Sequence, residues 1–301
     1  MKQIQSKTNY KRLDKFLADH FKEHTRSYLK SLITDGLVQK NGQPTKSSDN
    51  VNENDIITVH FPETPPNPVL PEDIALDIVY EDDDLLIINK PRGMVVHPAA
   101  GNYSGTLVNA LLYHYKDSLS DVNNDPLRPG ILHRIDKDTT GLLVVAKNNT
   151  VHTHLAAQIK DHSTTRSYLG IISGHLKTME GTINAPIGRS KKDRKKMAID
   201  PDGRAAITHY TVLEEYPGYS LVRCLLETGR THQIRVHMAS LNHPVACDPV
   251  YGTKSPGITA NGQLLHAEKL GFIHPTTGQY VEFTAPPPKE FTDIVEKLRK
   301  Q

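Results

Sequence analysis

The chain has 301 residues, of which 37% are hydrophobic and 23% are charged, and its net charge is only +2. These values are ordinary for a soluble globular protein. The two cysteines, Cys224 and Cys247, stand apart in apolar runs, which argues against a disulfide scaffold and against a zinc site and predicts buried free thiols. No apolar run approaches the roughly 20 residues that span a bilayer, and the N-terminus lacks the apolar core of a secretion signal, so we expect a cytoplasmic protein.

The first elements along the chain are two short helices followed by a small β element. Apolar residues recur at helical spacing over Leu13–Phe21 and again over Tyr28–Ile33. Asn41-Gly42 is typical of a hairpin turn, and Asp55–Phe61 predicts a strand. Together these elements predict a compact N-terminal module.

This module has a basic character. Residues 1–50 hold ten Lys or Arg against five Asp or Glu, and Arg26 and Lys30 lie four residues apart, on one face of the second helix. The segments RLDKFLADHF, GLVQKNG and DIITV resemble an S4 RNA-binding module. The resemblance implies a small α/β module over residues 1–61 that offers Arg26 and Lys30 to RNA.

The segment PETPPNPVLP has five prolines in ten residues, so it predicts an extended, semi-rigid linker over residues 62–71. A second domain over residues 72–301 follows it. Strands are predicted there over Leu76–Tyr80, Leu85–Asn89, Gly141–Ala146, Arg166–Ile172, Ile207–Leu213, Leu221–Glu227 and Gln279–Thr284. Helices are predicted over Thr106–Tyr115, Val151–Lys160, Arg230–Leu241 and Lys289–Lys300. This order, without regular β-α alternation, predicts an α+β fold with a mixed, largely antiparallel sheet and flanking helices.

The segment ILHRIDKDTTGLLVVAK is the most informative part of the sequence. It surrounds Asp136 with His133, Arg134 and Lys137, and Thr139 precedes a glycine turn into an apolar strand. The segment resembles the HRLDxxTSGLLLxAK motif of the RluA/RluD-like RNA pseudouridine synthases. The resemblance implies a catalytic cleft in the second domain, with Asp136 as the nucleophile.

Two further segments resemble the same family in the same order. TRSYLGIISG places Tyr168 at the tyrosine of the family's KxYxAxVxG strand, with Arg166 where lysine is common. LETGRTHQIRVHMASLNHPVACD places Arg235 at the arginine that pairs with the catalytic aspartate. On the predicted helix, Arg235 shares a face with Thr231 and His232, and the core-facing stripe is predicted to be Ile234, Met238 and Leu241.

Asp, Tyr and Arg suit the isomerisation of uridine, in which the C1′–N1 bond breaks and a C1′–C5 bond forms. An ionised carboxylate can attack the sugar or stabilise positive charge on it, and a guanidinium keeps that carboxylate charged. An aromatic ring can stack on the extracted base, and its hydroxyl is a candidate to take the C5 proton. We expect further RNA contacts from the side chains of His133, Arg134, Thr139, Arg230 and His232, and from the basic segment RSKKDRKK.

The resemblance implies an isomerase of the EC 5.4.99 class that needs no metal and no organic cofactor. We expect it to act as a monomer on ribosomal RNA of the large subunit (23S), away from membranes. Three alternatives stay open: a synthase acting on transfer RNA, a non-catalytic S4-type ribosome-assembly factor, and a hydrolase that uses Asp136 with a histidine.

Overall fold

A computed structural model describes residues 1–22, 24, 26–61, 69–99, 102–115, 118–122, 127–193, 196–252 and 254–301. Most of the predicted linker (62–68) and two residues of the RSKKDRKK segment (194 and 195) lie outside these ranges. The chain forms two compact units. The first comprises Met1–Leu70 with Asp121–Pro129, and the second comprises Pro71–Ser120 with Gly130–Gln301.

The first unit is built from two helices and a four-stranded antiparallel sheet. Its elements are β1 (Lys2–Gln5), α1 (Leu13–His20), α2 (Arg26–Thr34), β2 (Val38–Lys40), β3 (Gln43–Pro44) and β4 (Ile56–Val59), with strand order β1-β4-β2-β3. Phe16, Leu17 and Leu29 are fully buried in one core between the helices and the sheet. Asn41 and Gly42 both have positive φ, 52° and 77°, as a two-residue hairpin turn requires.

The second unit is organised around one large sheet. Its strands are β5 (Ile78–Glu81), β6 (Leu85–Lys90), β7 (Thr140–Ala146), β8 (Thr165–Ser173), β9 (Glu180–Asn184), β12 (Ile207–Tyr216), β13 (Tyr219–Leu226), β14 (Leu265–Ile273) and β15 (Tyr280–Thr284), and a separate hairpin joins β10 (Ile187–Arg189) to β11 (Met197–Ile199). The strand order is β5-β6-β7-β14-β8-β13-β12-β9, with β15 paired to β14. Within the described residues, β7 and β14 pair in parallel and the other named pairs are antiparallel. The predicted α+β fold with a largely antiparallel sheet is therefore confirmed.

Four helices cover the two faces of this sheet: α3 (Leu107–Tyr115), α4 (Asn149–Lys160), α5 (Gln233–Ser240) and α6 (Lys289–Arg299). Helices α3 and α5 contribute to one apolar core, which includes Tyr168 of β8. Helices α4 and α6 contribute to separate cores that include Leu142 of β7 and Ile171 of β8. Because side chains alternate along a strand, Arg166 and Tyr168 project to the same face of β8, the face on which α5 packs.

Three local predictions were wrong. Helix α5 begins at Gln233 rather than at Arg230, because His232 before it takes a left-handed conformation with φ of 57°. Leu241, expected in the core-facing stripe, lies beyond the helix and is 37% exposed. Cys247, expected to be a buried thiol, is partly exposed, whereas Cys224 is buried as predicted.

Strand β14 was not predicted, although it lies in the middle of the sheet. Among the helices that the structure describes, none has the length and apolar content to cross a bilayer.

Candidate active site

Asp136 lies on a short loop that leads into strand β7 and is anchored from several sides. The ammonium group of Lys90 donates to the carbonyl of Lys137 at 2.9 Å, and Arg92 donates to the carbonyl of Asp138 at 2.9 Å. The side-chain amide of Gln263 donates to the hydroxyl of Thr139 at 3.1 Å. These contacts fix the loop over the three residues that follow Asp136.

Lys90 is fully buried, and its ammonium group donates to three carbonyls, those of Pro91, Met94 and Lys137, at 2.7–2.9 Å. Burial lowers the pKa of Lys90 to about 7. Three acceptors nevertheless require three N–H donors, which only the ammonium form supplies. Lys90 therefore ties strand β6 to the loop of Asp136.

Gly141 is required where this loop enters the sheet. Its φ is +110°, and a Cβ at this position would lie 2.3 Å from the carbonyl oxygen of Ala267. A larger residue would therefore separate β7 from β14, whose parallel pairing joins Gly141 to Ala267. The glycine of the motif is explained by this close approach.

The Arg235 guanidinium connects two carboxylates. Its Nη1 donates to Oδ2 of Asp136 at 2.8 Å, and its Nε and Nη2 donate to Asp248 at 2.7 and 2.9 Å. Asp248 Oδ1 also accepts the main-chain N–H groups of Val250 and Tyr251 at 2.8 and 3.1 Å. Two N–H groups of Arg235 thus form a bidentate contact with Asp248, and a third donates to Asp136.

Arg235 and Asp248 are held in their charged forms. Burial alone would lower the pKa of Arg235, but hydrogen bonds and charge from Asp248 and Asp136 outweigh it and raise the pKa. Burial would likewise raise the pKa of Asp248, but Arg235 lowers it overall. The two buried partners therefore stabilise each other as ions.

Asp136 is the accessible member of the cluster. Its side chain is 17% exposed, against 5% for Arg235 and 0% for Asp248. Only its Oδ2 accepts a hydrogen bond from the residues that the structure describes. The other oxygen, Oδ1, lies 3.8 Å from Nε2 of His232.

Tyr168 lines the same cavities as Asp136 and is 9% exposed. Burial raises the pKa of Tyr168, the charge of Arg166 opposes this rise, and the charge of Asp136 adds to it. The phenol is therefore neutral at pH 7 in the free protein.

His232 is held beside Asp136 by a hydrogen bond between its Nδ1 and the hydroxyl of Tyr251, at 2.8 Å. The same hydroxyl accepts the main-chain N–H of Met197 at 2.8 Å, so the β10–β11 hairpin is joined to this site. The Arg235 guanidinium lies 5.2 Å from the centre of the Tyr251 ring. Desolvation lowers the pKa of His232, although Asp136 opposes this effect.

Two cavities meet at Asp136. The smaller, about 50 Å³, is lined by Arg134, Asp136, Thr139, Tyr168, Arg230, His232 and Arg235, among other residues. The larger, about 420 Å³, shares Arg134, Asp136, Tyr168 and Arg230 with it and also includes His133, Lys160, His162, Arg166, Gly229 and Thr231. We call the larger one the cationic cavity. Its volume is in the range of small-molecule sites, whereas the smaller one holds only a few waters.

The structure thus gathers Asp136, Tyr168 and Arg235 with the predicted contacts Arg134, Thr139, Arg230 and His232, and His133 lies at the edge of the cationic cavity. The other two predicted RNA contacts, Arg26 and Lys30, belong to helix α2 of the first unit and are exposed. Arg26 donates to the buried carboxylate of Asp14 at 2.9 Å, so part of its charge is already paired.

His133 is not a cationic group. Its Nε2 accepts the main-chain N–H of Val144 at 3.1 Å. Desolvation, together with the charge of Arg166, lowers the pKa of His133 to about 3. At pH 7 the imidazole is therefore neutral and carries its proton on Nδ1.

Sequence reasoning did not assign a role to Asp248 or to Arg166. Asp248 is the last residue of the segment LETGRTHQIRVHMASLNHPVACD, which also contains Arg235. An acidic residue in the same motif as Arg235 was a signal that the two side chains could pair. Arg166 lies two residues before Tyr168, and strand alternation already placed both side chains on one face. The sequence could not show that no carboxylate among the described residues lies within ion-pair distance of Arg166.

One group of side chains in the described part of the chain has the spacing of a metal site. Ligand atoms of Asp82, Asp84 and His274 all lie within 4.8 Å of one another. All three side chains already make hydrogen bonds, since His274 contacts Asp82 at 2.9 Å and Asp84 accepts from Asn148 and Thr276. Asp84 precedes β6 and Lys90 ends it, so the strand separates this group from the Asp136 loop by roughly 20 Å.

Comparison with known proteins connects this geometry to a family. Residues 84–240 match the family model described as RNA pseudouridylate synthase, and residues 11–57 match the S4 domain model. The first match contains Asp136, Tyr168 and Arg235.

Similar proteins match nearly the whole chain. An uncharacterised RNA pseudouridine synthase, YlyB of Bacillus subtilis (strain 168), is 50% identical, over 96% of this chain and 94% of the relative. Ribosomal large subunit pseudouridine synthase D of Zymomonas mobilis is 48% identical, over 95% of this chain and 93% of the relative. The solved structure of human RNA pseudouridylate synthase domain containing 1 is 28% identical with a TM-score of 0.57, and the similarity covers 75% of this chain and 96% of that one. With its fold, its Asp-Tyr-Arg cluster and these similarities, the chain belongs to the RNA pseudouridine synthase family and carries an N-terminal S4 domain.

Proposed function

We propose that this enzyme converts uridine to pseudouridine in large-subunit (23S) ribosomal RNA, with Asp136 acting on a nucleotide that has left its base stack. One observation carries the assignment of Asp136. Its Oδ2 is held by Arg235 at 2.8 Å, Oδ1 accepts no hydrogen bond from the described residues, and the residue lines a cavity. The names of the ribosomal relatives and the S4 match support the choice of RNA.

The reaction makes clear demands on these groups. The C1′–N1 bond breaks, the base turns, a C1′–C5 bond forms, the C5 proton leaves and N1 takes up a proton. The free Oδ1 of Asp136 is suited to attack the sugar or to stabilise its positive charge. Arg235 holds Oδ2 of the Asp136 carboxylate through a hydrogen bond of 2.8 Å, and Asp248 keeps Arg235 oriented.

Tyr168 supplies a ring on which the extracted base can stack. Because burial raises its pKa, its hydroxyl starts as a neutral donor, and it can take the C5 proton only after it releases its own. Extraction of the base costs a few kcal/mol, so uridines in loops are better substrates than those in duplex.

The remaining contacts follow from position. Arg134, Thr139, Arg230 and His232 line the small cavity and are proposed to hold the nucleotide. His133 contributes as a neutral group. Arg26 and Lys30 are proposed to contact RNA from the S4 domain.

We propose the domain division predicted from the sequence: an S4 RNA-binding domain over 1–61, a linker over 62–71 and a catalytic domain over 72–301. The enzyme is proposed to act in the cytoplasm as a monomer and without a metal or organic cofactor. Treatment with EDTA should therefore leave its rate unchanged, and a rate that depends on added metal would contradict this part of the proposal.

The test is tritium release from an unmodified transcript of the large-subunit rRNA labelled with [5-³H]uridine, followed by mapping of pseudouridine. We expect tritium to appear in the solvent in proportion to the pseudouridine formed at one or a few positions. A transfer RNA transcript serves as the comparison. Release from the transfer RNA alone would assign the other substrate class, and release from neither RNA would contradict the proposed activity.

A further inference from the structure

The cationic cavity beside Asp136 contains a buried guanidinium, that of Arg166, which has no carboxylate partner among the described residues. Arg166 on strand β8 is 6% exposed. Its Nη2 donates to the main-chain carbonyl of Glu227 at 2.8 Å, while its Nε has no hydrogen-bond partner in the described part of the chain. No carboxylate among the described residues lies within ion-pair distance of it.

This situation is unusual because a buried cation is normally paired. Burial lowers the pKa of Arg166, and the nearby charge of Arg230 acts in the same direction. An arginine nevertheless stays protonated in proteins, so its charge remains. The site therefore has unfilled capacity for an anion.

The surroundings of Arg166 extend this capacity. The cationic cavity is also lined by Arg134, Lys160 and Arg230, and its one acid is Asp136, whose Oδ2 is already engaged by Arg235. Gly229 in the wall leaves room for the guanidinium, because a Cβ there would lie 2.6 Å from Nη1 of Arg166. The cavity of about 420 Å³ is larger than a phosphate group requires.

We propose that the cationic cavity binds a phosphodiester group of the RNA backbone next to the extracted uridine, with Arg166 as its buried contact and Arg230 as a second. A guanidinium fork matches the geometry of phosphate oxygens. Because Arg166 and Tyr168 project from the same face of β8, one strand would fix the phosphate and the base relative to each other. The inference rests on the proposed function, since it takes RNA as the ligand.

Two measurements on the whole enzyme do not require turnover. The first compares the melting temperature in inorganic phosphate with that in chloride at equal ionic strength. The second measures the affinity for a transcript of large-subunit rRNA as KCl increases. Variants are Arg166→Gln, Arg166→Lys and the control Arg223→Gln, which removes an arginine that already has a carboxylate partner, Glu268 at 2.6 Å.

We expect phosphate to raise the melting temperature of the wild type and of Arg223→Gln by about 3 °C more than that of Arg166→Gln. Affinity falls as salt increases, and the plot of log affinity against log salt should be less steep by about 0.7–0.9 for Arg166→Gln only. Arg166→Lys should keep most of the wild-type steepness. Equal responses of Arg166→Gln and wild type in both measurements would overturn the proposal. If Arg166→Gln loses the stabilisation by phosphate but keeps the wild-type salt dependence of RNA affinity, the cavity binds free phosphate. That result would also overturn the proposal.

A third measurement uses the wild-type enzyme and covers the case in which Arg166→Gln does not fold. Each linkage flanking the modified uridine is replaced in turn by an uncharged methylphosphonate. One linkage should slow wild-type turnover at least 10-fold, and where Arg166→Gln folds, the same replacement should slow the variant less than 2-fold further. Equal turnover with every replaced linkage contradicts the phosphate site. Absence of turnover on any RNA contradicts the proposed function and leaves the two binding measurements to decide on the cavity.

Discussion

Two regions of the second unit, around Arg235 and around Arg166, differ in how a buried guanidinium is paired. Around Arg235, two carboxylates accept three hydrogen bonds from one guanidinium at 2.7–2.9 Å. At Arg166, which is nearly as buried, the guanidinium donates to one main-chain carbonyl and its Nε is unpaired within the described residues. In the first region the protein itself supplies the carboxylate partners of the buried guanidinium, and in the second no described residue does so.

The difference shows how charge is divided between protein and substrate. A catalytic carboxylate has to be ionised and oriented before the substrate arrives, so the protein supplies its partner. A cationic side chain that binds phosphate forms its ion pair with the substrate, so it needs no carboxylate partner from the protein. Substitutions that act differently on the two regions can break or sharpen this comparison.

The largest effect on stability is expected from Asp248→Asn in the paired region. The change leaves Arg235 buried with Asp136 as its only carboxylate, and removal of one partner of a buried ion pair costs about 3–5 kcal/mol. Urea unfolding at pH 7 measures the loss. As a control, Glu268→Gln breaks the more exposed pair with Arg223 and should cost less than about 1 kcal/mol. Equal losses for the two variants would refute the central place of Asp248.

The next effect concerns Tyr168, which borders both cavities. Tyr168→Phe keeps the ring but removes the hydroxyl, so we expect kcat to fall by about 10²–10³-fold with little change in KM if the hydroxyl takes part in C5 proton transfer. Steady-state tritium release measures both constants. Tyr210→Phe, at another buried tyrosine, should leave the rate unchanged. An unchanged kcat in Tyr168→Phe would limit this residue to stacking.

A smaller, pH-dependent effect is expected from His133 at the edge of the cationic cavity. Its pKa of about 3 in the folded protein lies below its ordinary value of 6.5, so the unfolded chain binds one more proton between these values. Its contribution is therefore complete above pH 6.5 and is lost as the pH falls towards 3, at up to ~1.4 kcal/mol per pH unit.

His133→Gln keeps an acceptor for Val144 without titrating, so the variant should lose less stability between pH 6.5 and 4.5 than the wild type. The control His154→Gln, at an exposed residue of α4, should follow the wild-type curve. Parallel curves for His133→Gln and the wild type, measured by urea unfolding at several pH values, would mean that His133 is not held neutral by the fold.

The smallest effect on stability is expected from Arg166→Gln. Because Arg166 has no carboxylate partner among the described residues, its replacement by a neutral group of similar length should change the free energy of unfolding by less than about 1 kcal/mol, in either direction. Urea unfolding in chloride measures this change beside that of Asp248→Asn. A loss of several kcal/mol would show that Arg166 is compensated in the folded protein, and the contrast between the two regions would disappear.

Much of the fold was predictable because its signals are local. The helix over Leu13–His20, the hairpin turn at Asn41-Gly42 and the strand over Thr140–Ala146 follow from spacing, turn chemistry and apolar runs. Strand β14 was missed because its sequence, LHAEKLGFI, mixes charged and apolar residues, and its place between β7 and β8 depends on pairing with distant segments. Pairing of this kind leaves little trace in a local pattern.

The site was predictable only in part for the same reason. The motifs place Asp136, Tyr168 and Arg235 in order along the chain, and the fold brings them to one cavity. The start of α5 was not predictable, because it is set by the left-handed conformation of His232, a residue type that the helical spacing does not mark as a boundary. Likewise, the lack of a partner for Arg166 Nε among the described residues becomes visible only in the three-dimensional structure.

The most direct test of the account is single-turnover tritium release by Asp136→Asn, with Asp138→Asn as a matched change two residues along the same loop. Asp136→Asn should release tritium at least about 10⁴-fold more slowly than the wild type, while it binds the rRNA transcript within about 3-fold of wild-type affinity. Asp138→Asn should keep most of the rate. A rate for Asp136→Asn within 10-fold of the wild type would contradict the assignment of Asp136 as the nucleophile.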